Sequence, residues 1–146
     1  MWSVKVCVSW IGKTKLAATR AGTADYLARL RGFARFAKVT GVELTGKAPQ
    51  RALLRRAEGA RLWLLDPAGQ SFASPQFARF IEREAAGREL LFAVAGADGF
   101  EPGVQAAAAG RLSLSPLTLS HELARLVLLE QIYRALAILT GHPYPH

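Results

Sequence analysis

The chain has 146 residues, 51% hydrophobic and 21% charged, which describes one packed domain and excludes both wholesale disorder and two separate cores. Cys7 is the only cysteine, which excludes an internal disulfide and a cysteine-cluster metal site and fits a reducing compartment. The net charge of +8 is one-sided: residues 1–61 carry 13 basic against 3 acidic side chains (+10), residues 62–146 carry 6 against 8 (−2), and such a basic half suits a polyanion like nucleic acid, the alternative being a solvated basic face.

Trp2, Val4, Val6, Val8 and Trp10 alternate with polar or small residues, which predicts a first strand with one strongly apolar face. The alternation begins too early and too regularly for a signal peptide. A turn at Gly12-Lys13 leads into a helix over about 16–36, with Leu27, Leu30 and Ala34 on its buried face. A short second strand is expected over 39–45. Pro49 then opens a short basic helix carrying Arg51, Arg55 and Arg56.

The apolar run over 61–66 reads as a strand covered on both faces, broken by Pro67-Ala68-Gly69. Ser74-Pro75 reads as an N-cap followed by a first-turn proline, with Gly87 stopping that helix. A buried strand over 89–94 ends in the small-residue loop Ala95-Gly96-Ala97-Asp98-Gly99. A short helix over 102–109 and a fifth strand over 111–115 follow. Ser120 caps a last helix that ends at Gly141, with Pro143 just beyond. Strands and helices alternate five times, so the expected class is α/β, a single three-layer domain over 1–146 with a mainly parallel sheet.

The last helix is apolar on several faces, which suggests that a second copy of the chain packs there. A central helix in a monomer is the alternative. Arg125, Glu130 and Arg134 interrupt its apolar stretch, so it is read as a buried helix rather than a membrane span, and the protein as cytoplasmic. His121 with Arg125, and Glu130 with Arg134, are spaced as ordinary helix pairs.

Two segments carry chemistry. The loop after the fourth strand sits where open α/β sheets bind ligands, and its small residues allow close approach to backbone. It is not a phosphate loop, because no Gly-Lys-Ser/Thr follows. The proline-interrupted joint over 112–121 mixes apolar side chains with hydroxyls and suits a purine ring. A turn and a buried connection are the plain alternatives. Two histidines close together in the tail, His142 and His146, have no carboxylate or thiol nearby, so no metal site is expected.

Together, Phe92-Ala93-Val94-Ala95-Gly96-Ala97-Asp98-Gly99, Leu112-Ser113-Leu114-Ser115-Pro116-Leu117-Thr118-Leu119, His121, Arg125, Glu130-Gln131-Ile132-Tyr133-Arg134-Ala135 and His142-Pro143-Tyr144 resemble the RlmH family of SPOUT methyltransferases. Ile11-Gly12-Lys13, Asp25-Tyr26, Leu65-Asp66, Gly69 and Ser74-Pro75-Gln76 are similar to that family too. That family N3-methylates a pseudouridine of 23S ribosomal RNA. The resemblance implies a C-terminal trefoil knot, a homodimer, S-adenosyl-L-methionine as cofactor and the assembled ribosome as substrate. The cofactor would lie among Leu65, Ala95, Gly96, Leu114, Ser115, Pro116, Leu117, Thr118 and Leu119, within a knot and dimer region over about 89–146. Arg134, Tyr144 and His146, with His142 as a further candidate, would carry the catalysis. No metal and no membrane is implied.

Three departures from the family stand out. Ala95 replaces the first of a glycine pair, Pro145 stands where the family tail has histidine with His146 in the final basic position, and the region between Phe36 and Arg61 looks shortened. The altered tail supports a second reading, a catalytically weakened RNA- or ribosome-binding module on the same fold.

Overall fold

The computed structural model describes residues 3–144, so Trp2, Pro145 and His146 lie outside the described residues. One sheet holds β1 (Val4–Ile11), β2 (Ala37–Leu44), β3 (Arg61–Ser71), β4 (Leu90–Val94) and β5 (Gly110–Ser113). The order is β2-β1-β4-β3-β5, and every neighbouring pair is parallel. Parallel strands need crossovers. Helices α1 (Ala17–Leu30), α2 (Pro49–Arg56), α3 (Ser74–Glu84) and α4 (Pro102–Ala107) supply them, and α5 (His121–Thr140) comes last. The α/β class read from the sequence is the observed one.

Each sheet face has its own core. Val4, Val6, Val8 and Trp10 of β1, with Leu90 and Phe92 of β4, meet α1, α3 and α5 through Leu30, Phe77, Phe80, Leu128 and Ile132. On the other face Cys7, Leu62, Leu64, Leu91 and Ala93 meet α2 and α4 through Leu53 and Val104. Three layers result, and cover on both faces explains the continuous apolar runs of β3 and β4. The strand β1 departs from a one-faced reading, because Cys7 and Ser9 are also fully buried. The Ser9 hydroxyl donates to the Phe92 carbonyl at 2.8 Å, so its burial leaves no polar group unmatched.

Several boundaries differ from the sequence reading. The helix expected over 16–36 ends at Leu30 and tightens into a 3-10 turn over Arg31–Phe33, which leaves Ala34 exposed. The second strand begins at Ala37, not at residue 39, and is followed by a short helix, eight residues each. Ala73, not Ser74, is the N-cap of α3. The Gln76 side chain accepts from the Ala73 amide at 3.1 Å, while the Ser74 hydroxyl donates to Gln131 of α5 at 2.9 Å. Ser120 caps α5 as expected, accepting from the Leu123 amide, and Gly141 closes the helix at φ +69°.

The largest correction concerns β3. Pro67-Ala68-Gly69 does not end the strand. Leu65 and Gln70 both register with Leu112, so the residues between them arch out before Ser71 pairs with Ser113. Asp66 holds the arch: one carboxylate oxygen accepts from the Ala68 amide at 2.9 Å, the other from Arg111 at 3.3 Å. Gly69 is what lets the arch pass so close to β5, since a Cβ there would lie 2.6 Å from the Arg111 carbonyl group.

Helix α5 runs lengthwise over β1 and β4. It starts just beyond the C-terminal end of β1, where the Glu122 carboxylate accepts from the amides of Lys15 and Leu16 at 2.9 and 3.1 Å. It ends near the start of β2, where Tyr133 and His142 meet the Phe33 ring edge-on at 5.3 and 5.8 Å. No helix among the described residues is long and apolar enough to cross a membrane.

Candidate functional site

A cleft of about 630 Å³, its open mouth included, lies at the C-terminal ends of β3, β4 and β5. Open α/β sheets bind ligands at this edge. Seven of the nine residues expected around a cofactor line it: Leu65, Ala95, Leu114, Ser115, Leu117, Thr118 and Leu119. Pro116 is exposed and points elsewhere in the loop, and Gly96 lines the neighbouring groove instead. Asp66, Pro67, Val94, Leu112, His121 and Ala124 complete the wall. Of these, Asp66 and Pro67 were hidden by reading the arch as a strand end.

Local bonds shape the loop that closes the cleft. The Ser113 hydroxyl donates to the Ser115 carbonyl at 3.1 Å, and the Ser115 hydroxyl accepts from the Leu117 amide at 3.0 Å. Leu117 is left 74% exposed at the cleft's rim. No residue other than glycine has a positive φ among those described, so the alanine at 95 sits without backbone strain. The lining is mostly aliphatic with a few polar groups, the composition that suits a flat heterocycle with a polar tail.

Beside the cleft, and sharing His121 with it, runs a larger groove of about 1860 Å³, its open mouth likewise included. Lys13 and Lys15 after β1, Lys47 and Arg51 around the start of α2, and Arg125 of α5 supply its positive charge; Asp98, Glu101 and Glu122 supply the negative. Gln50 braces one wall, donating to the Gly99 carbonyl at 2.9 Å and accepting from the Glu101 amide at 2.7 Å. The strand β1 leads through α1 to one edge of the sheet and β4 leads through α4 to the other, on opposite faces. The groove therefore occupies the topological switch point.

The expected catalytic residues gather elsewhere. Arg134 pairs with Glu130 at 2.8 Å, and the Tyr144 hydroxyl donates to the same carboxylate oxygen at 3.0 Å. The Arg134 guanidinium lies over the Tyr144 ring at 4.7 Å. Burial, then the bond to Glu130 and its charge, pushes the Tyr144 phenol up to about 12. It therefore stays protonated at neutral pH and acts as a hydrogen-bond donor. His142 is exposed against Phe33, and His146 lies outside the described residues. Ala124, in the cleft, and Arg134 are ten residues apart on one helix, a rise of roughly 15 Å.

Sequence spacing had His121 and Arg125 as an ordinary surface pair. They form none. His121 is exposed, while Arg125 turns inward to stack on Trp10. No local pattern could reveal this, because Trp10 comes from the other end of the chain. Among the described residues no group of three or more His, Cys, Asp or Glu side chains could hold a metal ion.

Comparison with known proteins bears on the whole chain. A family model described as "Predicted SPOUT methyltransferase" matches residues 4–146. The "Ribosomal RNA large subunit methyltransferase H" of Sorangium cellulosum is 38% identical over 148 residues, covering 98% of this chain and 100% of the relative. The protein of the same name from Deinococcus radiodurans is 41% identical over 139 residues, covering 92% of this chain and 93% of the relative. Among solved structures, a methyltransferase of Legionella pneumophila with bound SAM shares the fold at TM-score 0.50 and 11% identity, over 90% of this chain and 66% of that one. A hypothetical protein does so at TM-score 0.53 and 13% identity, over 94% and 82%. A match over nearly every residue, with relatives of the same length, is the ground for the assignment: the chain belongs to the SPOUT methyltransferase family.

Proposed function

We propose that the protein is an S-adenosyl-L-methionine-dependent methyltransferase acting on large-subunit ribosomal RNA, at N3 of a pseudouridine in the assembled ribosome, in the cytoplasm. The observation that carries this reading is the single cleft formed by Leu65, Ala95, Leu114, Ser115, Leu117, Thr118 and Leu119. Its aliphatic walls, with polar groups at Asp66, Thr118 and His121, fit an adenosine with a charged tail. The names of the full-length relatives support the rRNA substrate. The path of residues 114–120, from β5 at the sheet edge back to the end of β1, fits the trefoil knot expected of the family.

S-adenosylmethionine, when bound, supplies a methyl group on a sulfonium ready for in-line displacement. The protein's task is then to place the acceptor nitrogen and favour its ionised form. The Arg134 guanidinium offers the cation, and Glu130 and Tyr144 hold it in one orientation. The Tyr144 phenol, kept protonated, serves as a donor.

Arg134 sits too far along α5 to reach its own chain's cleft, which supports a homodimer. The outward face of α5 carries Leu123, Val127, Glu130, Arg134 and Ile138 at helical spacing, with Leu123 and Ile138 48% and 45% exposed. Two such helices related by an antiparallel two-fold would bury these leucine and isoleucine side chains against each other. They would also bring Arg134 of the partner subunit toward the cleft end of α5. The basic cluster of Arg31, Arg35 and Lys38, at the tail end of the molecule, would arrive with it.

The deciding experiment is methyl incorporation into ribosomes lacking this modification, with the methylated nucleotide mapped. Incorporation at a pseudouridine N3 is expected; saturable cofactor binding without any incorporation would favour the weakened-module reading that Pro145 raises. In the same assay Pro145→His should raise the rate if the altered tail limits it.

A further inference from the structure

The groove beside the cofactor cleft holds a cation that methyl transfer itself does not use. Arg125 is only 3% exposed. It lines the groove on one side and, on the other, a smaller cleft shared with Trp10, Thr14, Thr23 and Glu43. Its guanidinium lies 4.1 Å over the Trp10 ring, and one Nη donates to the Thr14 hydroxyl at 2.6 Å. Its buried Nε meets no acceptor, and Glu122 and Glu43 act on its charge without a direct contact. The neighbouring carboxylates are committed elsewhere. Glu122 accepts from the Lys15 and Leu16 amides, and Glu43 from the Trp10 ring and from the amide and hydroxyl of Thr14.

A buried guanidinium whose carboxylates act only from a distance, with its Nε unpaired, is costly unless an anion completes it. Here the anion has a route in. The groove opens at the switch point of the sheet, is rimmed by Lys13, Lys15, Lys47 and Arg51, and shares His121 with the cofactor cleft. We propose that Arg125 anchors an oxyanion subsite, filled by a backbone phosphate of the RNA beside the nucleotide being methylated. This rests on the rRNA reading above. The planar fork suits a phosphate, Trp10 and Thr14 fix its orientation, and the lysines gather the strand as point charges. The other oxyanion that the reaction brings is the carboxylate on the cofactor's amino-acid end, and the test separates the two.

The Arg125 Nε–H resonance, followed by nitrogen-15 NMR on the full chain, reports on the site directly. The probes are inorganic pyrophosphate, a short hairpin RNA and S-adenosylmethionine. The resonance should shift saturably with pyrophosphate and with RNA, and not with S-adenosylmethionine alone. Arg125→Lys should weaken RNA binding by about tenfold and leave cofactor affinity unchanged. A substitution at a buried site can unfold the chain, so exposed Lys13→Ala and Lys47→Ala form a second arm. Each should reduce the log–log salt slope of RNA binding by about one. A shift with the cofactor but with neither phosphate probe assigns the site to the cofactor's carboxylate and overturns the proposal. RNA binding with an unmoved Arg125 resonance and unaltered salt slopes overturns it as well. A wild-type chain that binds cofactor but neither the hairpin nor ribosomes defeats the rRNA reading itself; a pyrophosphate shift would then still keep the oxyanion site, and its absence would end it.

Discussion

Arg134, Glu130 and Tyr144 work as a unit because one carboxylate oxygen serves both partners. The raised phenol of Tyr144 makes that unit testable through pH. The folded chain holds the phenolic proton up to about 12, while the unfolded chain releases it near the ordinary value of about 10. The stabilisation is complete below the unfolded value and is lost as pH rises through the folded one. Denaturant midpoints followed upward from about pH 9 should therefore fall more steeply for wild type than for Tyr144→Phe; parallel falls would mean that the phenol gains nothing from its setting. At this scale, legibility followed chain separation. The pair Glu130–Arg134 is local and spacing exposes it. The inward turn of Arg125 depends on Trp10 and Thr14, and nothing near Arg125 in the chain announces them.

Among the elements, the strands were legible wherever their own residues carried the pattern. The unbroken apolar runs of β3 and β4 record cover on both faces, while the alternation of β1 shows the strand but not the second buried face to which Cys7 belongs. The arch of β3 was not legible, because Pro67-Ala68-Gly69 has the composition of a stop and the pairing that resumes beyond it is made with distant β5. The loop over 114–119 was marked by its mix of apolar side chains and hydroxyls and by its resemblance, and all of it but Pro116 meets in one cleft with Leu65. Gly69→Ala tests how tightly arch and cleft are coupled. A methyl 2.6 Å from the Arg111 carbonyl group forces the arch away from β5. Stability should drop by about 1–3 kcal/mol in chemical denaturation, and cofactor affinity should fall with it because Leu65, Asp66 and Pro67 are cleft walls. Lost stability with unchanged cofactor affinity would uncouple the two.

For the whole molecule, the one-sided charge resolves into two places. Lys13, Lys15, Lys47 and Arg51 surround the groove at the C-terminal ends of the strands, while Arg31, Arg35 and Lys38 lie at the opposite end, near the tail. In the proposed dimer these clusters come from different subunits and meet over one cleft. Subunit mixing checks this. A chain with a blocked cleft (Leu114→Arg) and a chain lacking the cation (Arg134→Ala) should each be inactive. Unfolded together and refolded at equal amounts, half the dimers are mixed and each holds one intact composite site, so methyl transfer should recover to about a quarter of wild type. No recovery in mixtures that size-exclusion shows to be dimeric would place cation and cleft in the same chain.

The pairing of the β3 arch with β5 also orders events in time. The arch cannot close until Leu112 and Ser113 have been synthesised, and the cleft needs Ala124 beyond them. Its walls thus come from segments joined only near the end of the chain, and such long loops close late. Helices and the β1–β2 pair should form first during refolding, with competence to bind S-adenosylmethionine returning in a separate, slower phase. Stopped-flow circular dichroism set beside cofactor binding would resolve the two, and a single shared rate would show that the cleft assembles with everything else. A newborn chain would accordingly be blind to its methyl donor until residues 112–124 had left the ribosome.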